Sequence, residues 1–229
     1  MKHRIVIALI AFATLLSPCV SSAHTNIEAL NWYQITGVGP IYGSWKFYIE
    51  AQPRIGTDPA TRDTNLRTFI VRSAIGYQIT EAWSLWMGYA YQPNFNPSRY
   101  ENRVYQQSLY QNEIGPFKMA NRTRLEERMI QDAGQPAMRI LHQLWLMYPL
   151  PRWPQWGLVA ADEPFINLNT VTNGPIAGFD QNRLYLGVSR QLGPHLRVEV
   201  DYLNQFVLGH DGADDTVRNG AFVLLVFGW

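Results

Sequence analysis

Apolar and polar residues alternate with a period of two through most of this chain, the pattern of strands that show an apolar face to one side only. Residues 43–54 set Trp45, Phe47, Ile49 and Ala51 against Lys46, Tyr48, Glu50, Gln52 and Arg54. Residues 67–79 set Phe69, Val71, Ile75 and Tyr77 against Thr68, Arg72, Ala74 and Gln78, and 82–92 set Trp83, Leu85, Met87, Tyr89 and Tyr91 against Ser84, Gly88, Ala90 and Gln92. In 121–130 the polar face carries Arg122, Arg124, Glu126 and Arg128, and in 137–148 it carries Arg139 and Gln143. Alternation returns in 181–192, 195–208 and 217–229, where Arg183, Arg197, Glu199 and Asp201 share the polar side. Two stretches are less regular. Residues 100–112 are polar on both faces, and 155–168 contain Pro164, which in a strand implies a bulge or an edge.

Between these stretches Gln78 to Glu81 and Leu192 to His195 are tight turns, whereas 55–66, 93–99, 169–178 and 209–216 are longer and rich in Gly, Pro, Asn and Asp. Short turns at one end and long loops at the other are the layout of an outer-membrane barrel. The predicted fold is all-β, a transmembrane antiparallel up-and-down β-barrel of about ten strands over 43–229, with twelve as the alternative. Residues 24–42 are an N-terminal segment ahead of it. A lone candidate strand there, Leu30 to Thr36, would break the even strand number of single-chain bacterial barrels.

Both termini support export. Lys2, His3 and Arg4, an apolar run from Ile5 to Leu16 and the small residues Ser21-Ser22-Ala23 form a signal peptide over 1–23, cleaved after Ala23. Leu16-Ser17-Pro18-Cys19 is a poor lipobox, because Pro18 stands beside the cysteine. The last strand ends on Phe227 and Trp229, which resembles the terminal signal read by the barrel-assembly machinery. Mean hydropathy is −0.17, and beyond the signal no apolar run is long enough for a spanning helix.

Cys19 is the sole cysteine and leaves with the signal, so the mature chain has no disulfide and no thiolate site. Net charge is +1, which does not point to a nucleic-acid partner. Neither a cofactor nor a metal is expected. The loop Gly209 to Asp215 offers carboxylates and His210, but in the composition of an ordinary solvated turn. No catalytic residues are assigned.

The chemistry of the chain lies on the polar faces. Glu50, Arg54, Arg72, Arg103, Arg122, Arg124, Glu126, Arg128, Arg139, Glu163, Arg183, Arg197, Glu199 and Asp201 are expected to meet in the lumen as a network. Arginine suits such an interior because its planar fork bonds carboxylates in two places and keeps its charge. Aromatic residues near strand ends, among them Trp32, Trp45, Trp83, Tyr91, Tyr148, Trp153, Trp156 and Phe179, are expected in girdles at the headgroup level. The expected role is structural, in the envelope. A narrow small-solute channel with weak anion preference and a membrane-embedded lipid or peptide hydrolase are the alternatives. Outer-membrane lipid is the expected partner of a monomer.

Several short runs also carry a resemblance: Trp32-Tyr33, Glu50-Ala51-Gln52-Pro53-Arg54, Arg122 to Arg128, Asp162-Glu163-Pro164-Phe165, Asn182-Arg183-Leu184-Tyr185 and Tyr202 to Phe206. In this order they resemble the uncharacterised bacterial outer-membrane barrels grouped as domain-of-unknown-function family 2490, over nearly all of the mature chain. The resemblance implies a barrel in the outer membrane and brings no activity or catalytic residue with it.

Overall fold

A computed structural model describes residues 25–57, 63–95 and 97–228. The signal peptide expected over 1–23 and the terminal Trp229 lie outside the described residues. Eleven strands follow one another: β1 (Thr25–Tyr42), β2 (Trp45–Thr57), β3 (Thr64–Gln78), β4 (Trp83–Phe95), β5 (Ser98–Ile114), β6 (Phe117–Ile130), β7 (Ala137–Leu150), β8 (Trp153–Asn167), β9 (Gly178–Gln191), β10 (Leu196–Val207) and β11 (Asp215–Gly228). Each is antiparallel to its neighbours in sequence, and β1 closes on β11. Closure removes the free edges that an open sheet would leave.

The alternation counts ten strands and the wall has eleven, because residues 25–42, expected ahead of the barrel, form its first strand. An odd number of up-and-down strands forces the first and last to run the same way. The closing pair is accordingly parallel, with Thr25 opposite Asp215 and Val38 opposite Gly228. Near its middle the ladder lapses, and Asn31 Oδ1 accepts the Ala221 N–H at 2.9 Å in its place. The two irregular stretches are strands as well. Residues 100–112 fall in β5, and Pro164 sits in β8 one residue before a register shift at Phe165 and Ile166.

All described turns of two to four residues at one end of the barrel join β1 to β2, β3 to β4, β5 to β6, β7 to β8 and β9 to β10. Gly43 and Gly115 take φ of 55° and 59° in two of the three two-residue turns, a left-handed conformation that costs glycine little. Among the described residues the opposite end carries 131–136, 168–177 and 208–214. Residues 93–99, expected there as a loop, are mostly strand, with Phe95 paired to Ser98. Two loops at that end are tied together by Arg99, whose Nε donates to Gln131 O at 2.7 Å and whose Nη2 donates to Asn173 O at 2.6 Å.

The wall separates the two faces of each strand. Ile49, Ile75, Met87 and Leu186 point outward and are 55–63 % exposed. Aromatic rings gather toward both ends of that surface, with Tyr42, Trp45, Trp83 and Trp153 by the short turns and Tyr91, Phe95 and Tyr100 toward the opposite end. Inside, bulky rings fit because glycine faces them across the sheet. Gly88 is opposite Tyr105 and Gly76 is opposite Trp86, and a Cβ on either glycine would lie within 2.4 Å of that ring.

Candidate functional site

Inward rows of neighbouring strands meet residue by residue, so the register decides which charges pair. Glu50 on β2 faces Arg72 on β3 and is ion-paired to it. Glu126 on β6 faces Arg139 on β7 at 2.6 Å, and Glu163 on β8 faces Arg183 on β9 at 3.0 Å. Where two arginines face each other, Arg103 and Arg128, the nearby Glu101 takes both at 2.5 and 2.6 Å. Arg122 adds a second bond to Glu163 at 2.6 Å, Arg124 lies 3.5 Å from Glu126, and Arg197 pairs with Glu199 two residues along its own strand. All five glutamates have side chains no more than 5 % exposed. Such pairs hold because each charge, once out of water, keeps a close partner.

Of the fourteen residues that alternation places in the lumen, Arg54 and Asp201 alone have no ion pair among the described residues. Register accounts for both. Arg54 faces Trp32 on β1 and Thr68 on β3, and Asp201 faces Phe222 on β11 and Gly187 on β9. Arg54 lays its guanidinium 3.7 Å from the centre of the Trp32 ring and donates from Nε and Nη2 to Gln52 Oε1 at 2.9 and 2.7 Å. Both carboxylate oxygens of Asp201 are buried without a hydrogen-bond partner.

Aromatic rings inside the barrel are the part that residue patterning missed. Trp32, expected in a girdle, is 1 % exposed within the lumen and packs with Ala161, Tyr185, Leu203 and Phe222. Arginines lie over several such rings: Arg183 over Phe165 at 4.2 Å and over Trp32 at 4.8 Å, Arg139 over Phe165 at 4.8 Å and Arg124 over Tyr105 at 4.4 Å. A ring face attracts a cation, so these contacts hold guanidiniums that carboxylates do not fully satisfy. Parity was the available signal, because Tyr105 and Phe165 share the inward row with Arg103 and Glu163.

Two cavities share this interior. The larger, about 620 Å³, reaches from the short-turn end, near Gln111 and Lys118, to mid-barrel. The smaller, about 410 Å³, opens among Arg99, Asn173, Gly174 and Arg218 at the other end. Arg54, Arg103, Arg139 and Arg183 line both, so four arginines stand where the cavities adjoin.

Histidine lines neither cavity. His142 points outward, with Nδ1 2.9 Å from Thr123 Oγ1, and His195 Nδ1 meets Gly228 O at 2.8 Å. In the loop 209–215 the Asp215 carboxylate accepts the Gly209 N–H at 2.8 Å, closing the turn on itself. Among the described residues no three metal-ligating side chains gather.

The chain matches the family model described as a protein of unknown function, DUF2490, over residues 29–217. It belongs to that family. An uncharacterised protein of Methylorubrum extorquens is 34 % identical over 195 residues, covering 81 % of this chain and 81 % of the relative. No solved structure matches. The DUF2490 match begins inside β1 and ends three residues into β11, so it takes in most of the first strand of the parallel seam and only the start of the last.

Proposed function

We propose that this DUF2490 protein is a β-barrel of the bacterial outer membrane whose lumen is a narrow path for small anions. The membrane part of the reading is supported by the outward rows of Ile, Leu and Met, the aromatic rings toward both ends, and strands of 12 to 18 residues, enough to cross the hydrocarbon layer. One observation carries the anion preference: four arginines line the place where the two cavities adjoin, and Arg54 among them has no carboxylate. With Arg103, Arg139 and Arg183 paired to glutamates, Arg54 supplies the excess positive charge, which in a constricted, poorly solvated passage favours anions and repels cations.

With short turns toward the periplasm, the C-terminal end of β11 is periplasmic, as a strand read by the assembly machinery requires. An odd wall then carries the Thr25 end of β1 to the outer side with the longer connections. The closed sheet leaves no edge for a partner strand, in keeping with the monomer expected from the sequence.

Planar-bilayer recording tests the path. Detergent-folded protein is expected to give small conductance steps whose reversal potential, under a potassium chloride gradient, lies on the chloride side of zero. Silence from correctly folded protein would refute it. A sealed, structural barrel is the second reading, favoured by the twelve lumenal side chains already bound in ion pairs.

A further inference from the structure

We infer that the lumen contains a binding site for a small oxyanion, built by Arg54, Arg183 and the indole of Trp32. This deepens the anion-path reading and rests on it for access to the lumen. The two guanidinium carbons lie 3.7 and 4.8 Å from the centre of one Trp32 ring, so two positive charges share a single aromatic platform. Arg122 bonds the same Glu163 as Arg183. Glu163 thus answers two arginines, as Glu101 and Glu126 do, and Arg54 stands beside them with no carboxylate of its own among the described residues. The local excess is positive, in surroundings where water screens it poorly.

The donors an oxyanion needs are also free. Arg54 uses Nε and one Nη2 proton on Gln52, which leaves the Nη1 and Nη2 end of the guanidinium without an acceptor among the described residues. That end takes two oxygens of a carboxylate or phosphate side by side. Arg183 Nε and Trp32 Nε1 are both buried and have no hydrogen-bond partner. Elsewhere in the lumen Arg72 Nε and Arg122 Nε are also unpaired, whereas Arg103, Arg124, Arg128 and Arg139 all bond through Nε; what sets this place apart is the unpaired indole N–H beside an arginine with no carboxylate. A group with several oxygens can accept from more than one of these donors at once. Chloride, a single atom, cannot set two oxygens side by side against the guanidinium fork. Arg54 and Arg183 line both cavities and Trp32 lines the larger, so a small carboxylate- or phosphate-bearing solute reaches the site from either side.

Isothermal titration of the folded chain in detergent micelles tests this, with inorganic phosphate and malonate in separate runs and sodium chloride at equal ionic strength as the control. Saturable one-to-one binding of at least one oxyanion is expected, with no saturation by chloride. The preferred run tells phosphate from carboxylate. Arg54→Gln is expected to weaken binding at least tenfold, and Trp32→Phe, which keeps a platform and removes the N–H, several-fold. Arg54→Lys, which keeps the charge but loses the two-oxygen end, stands in if the glutamine variant does not fold, with heat-shifted gel mobility as the check. Saturation by neither oxyanion, or undiminished affinity in the Arg54 variants, would overturn the site. A silent bilayer with intact titration removes the path and leaves the site; a conducting barrel without saturable binding does the reverse.

Discussion

Glu126 and Arg54 occupy the same kind of place, an inward position in mid-wall, and the register treats them oppositely. Glu126 faces Arg139 across the β6–β7 ladder, with Arg124 beside it on its own strand. Arg54 faces an indole on one side and a threonine on the other. The first arrangement is a closed ionic unit, and the second leaves a cation held by ring faces and an amide oxygen. A charge answered by its neighbours serves the wall. One left unanswered is available to a solute.

The difference should appear directly in stability. Glu126→Gln removes the shared partner of Arg124 and Arg139 and leaves both cations buried, which is expected to destabilise the barrel by about 3–5 kcal/mol. Urea unfolding in lipid vesicles, followed by tryptophan fluorescence, measures it. A loss below about 1 kcal/mol would mean that water reaches the pair and that the belt is not a sealed unit.

A steric change in the same wall should cost less. Gly88→Ala places a Cβ 2.3 Å from the Tyr105 ring and 2.5 Å from the Ser73 carbonyl oxygen, and backbone cannot give way as a flexible side chain can. About 1–3 kcal/mol of destabilisation is expected by the same unfolding measurement. If Gly88→Ala were neutral, Tyr105 could not be packed where the cation–π contact with Arg124 puts it.

Arg54→Gln should have the smallest effect on stability, under about 1 kcal/mol, because the lost attraction to the ring is offset by relief of repulsion from Arg183. Its mark should instead be a reversal potential moved toward zero in bilayers. A loss as large as that of Glu126→Gln would show that Arg54 belongs to the ionic wall and would erase the contrast.

Much of this could be read from the residue order, and the reasons are specific. In β3 and β4 the outward row is apolar and the inward row is polar, so period and face are both visible. The lumenal charges follow from the same parity. β1 hides because both of its rows carry apolar residues, Tyr33 and Ile35 outward and Leu30 and Trp32 inward, and because two glycines and Pro40 interrupt its end. With β1 uncounted, the even-strand expectation for bacterial barrels favoured ten. Trp32 looked like a girdle residue for a related reason: what turns it into a lumenal platform is the facing Arg54, a pairing across a hairpin that no local pattern displays. That Asp201 has no ion pair is likewise a property of register, set by Phe222 and Gly187 on either side.

Everything about the lumen depends on which face of the wall meets hydrocarbon, and single-cysteine labelling in bilayers tests that most directly. The sequence's one cysteine, Cys19, lies in the segment expected to be cleaved, so the background is clean. A fluorophore on Leu186→Cys, from the outward row of β9, is predicted to be quenched by lipids brominated on their acyl chains and to be indifferent to aqueous iodide. Quenching by iodide with no response to the brominated lipids would place that row in water and contradict the account.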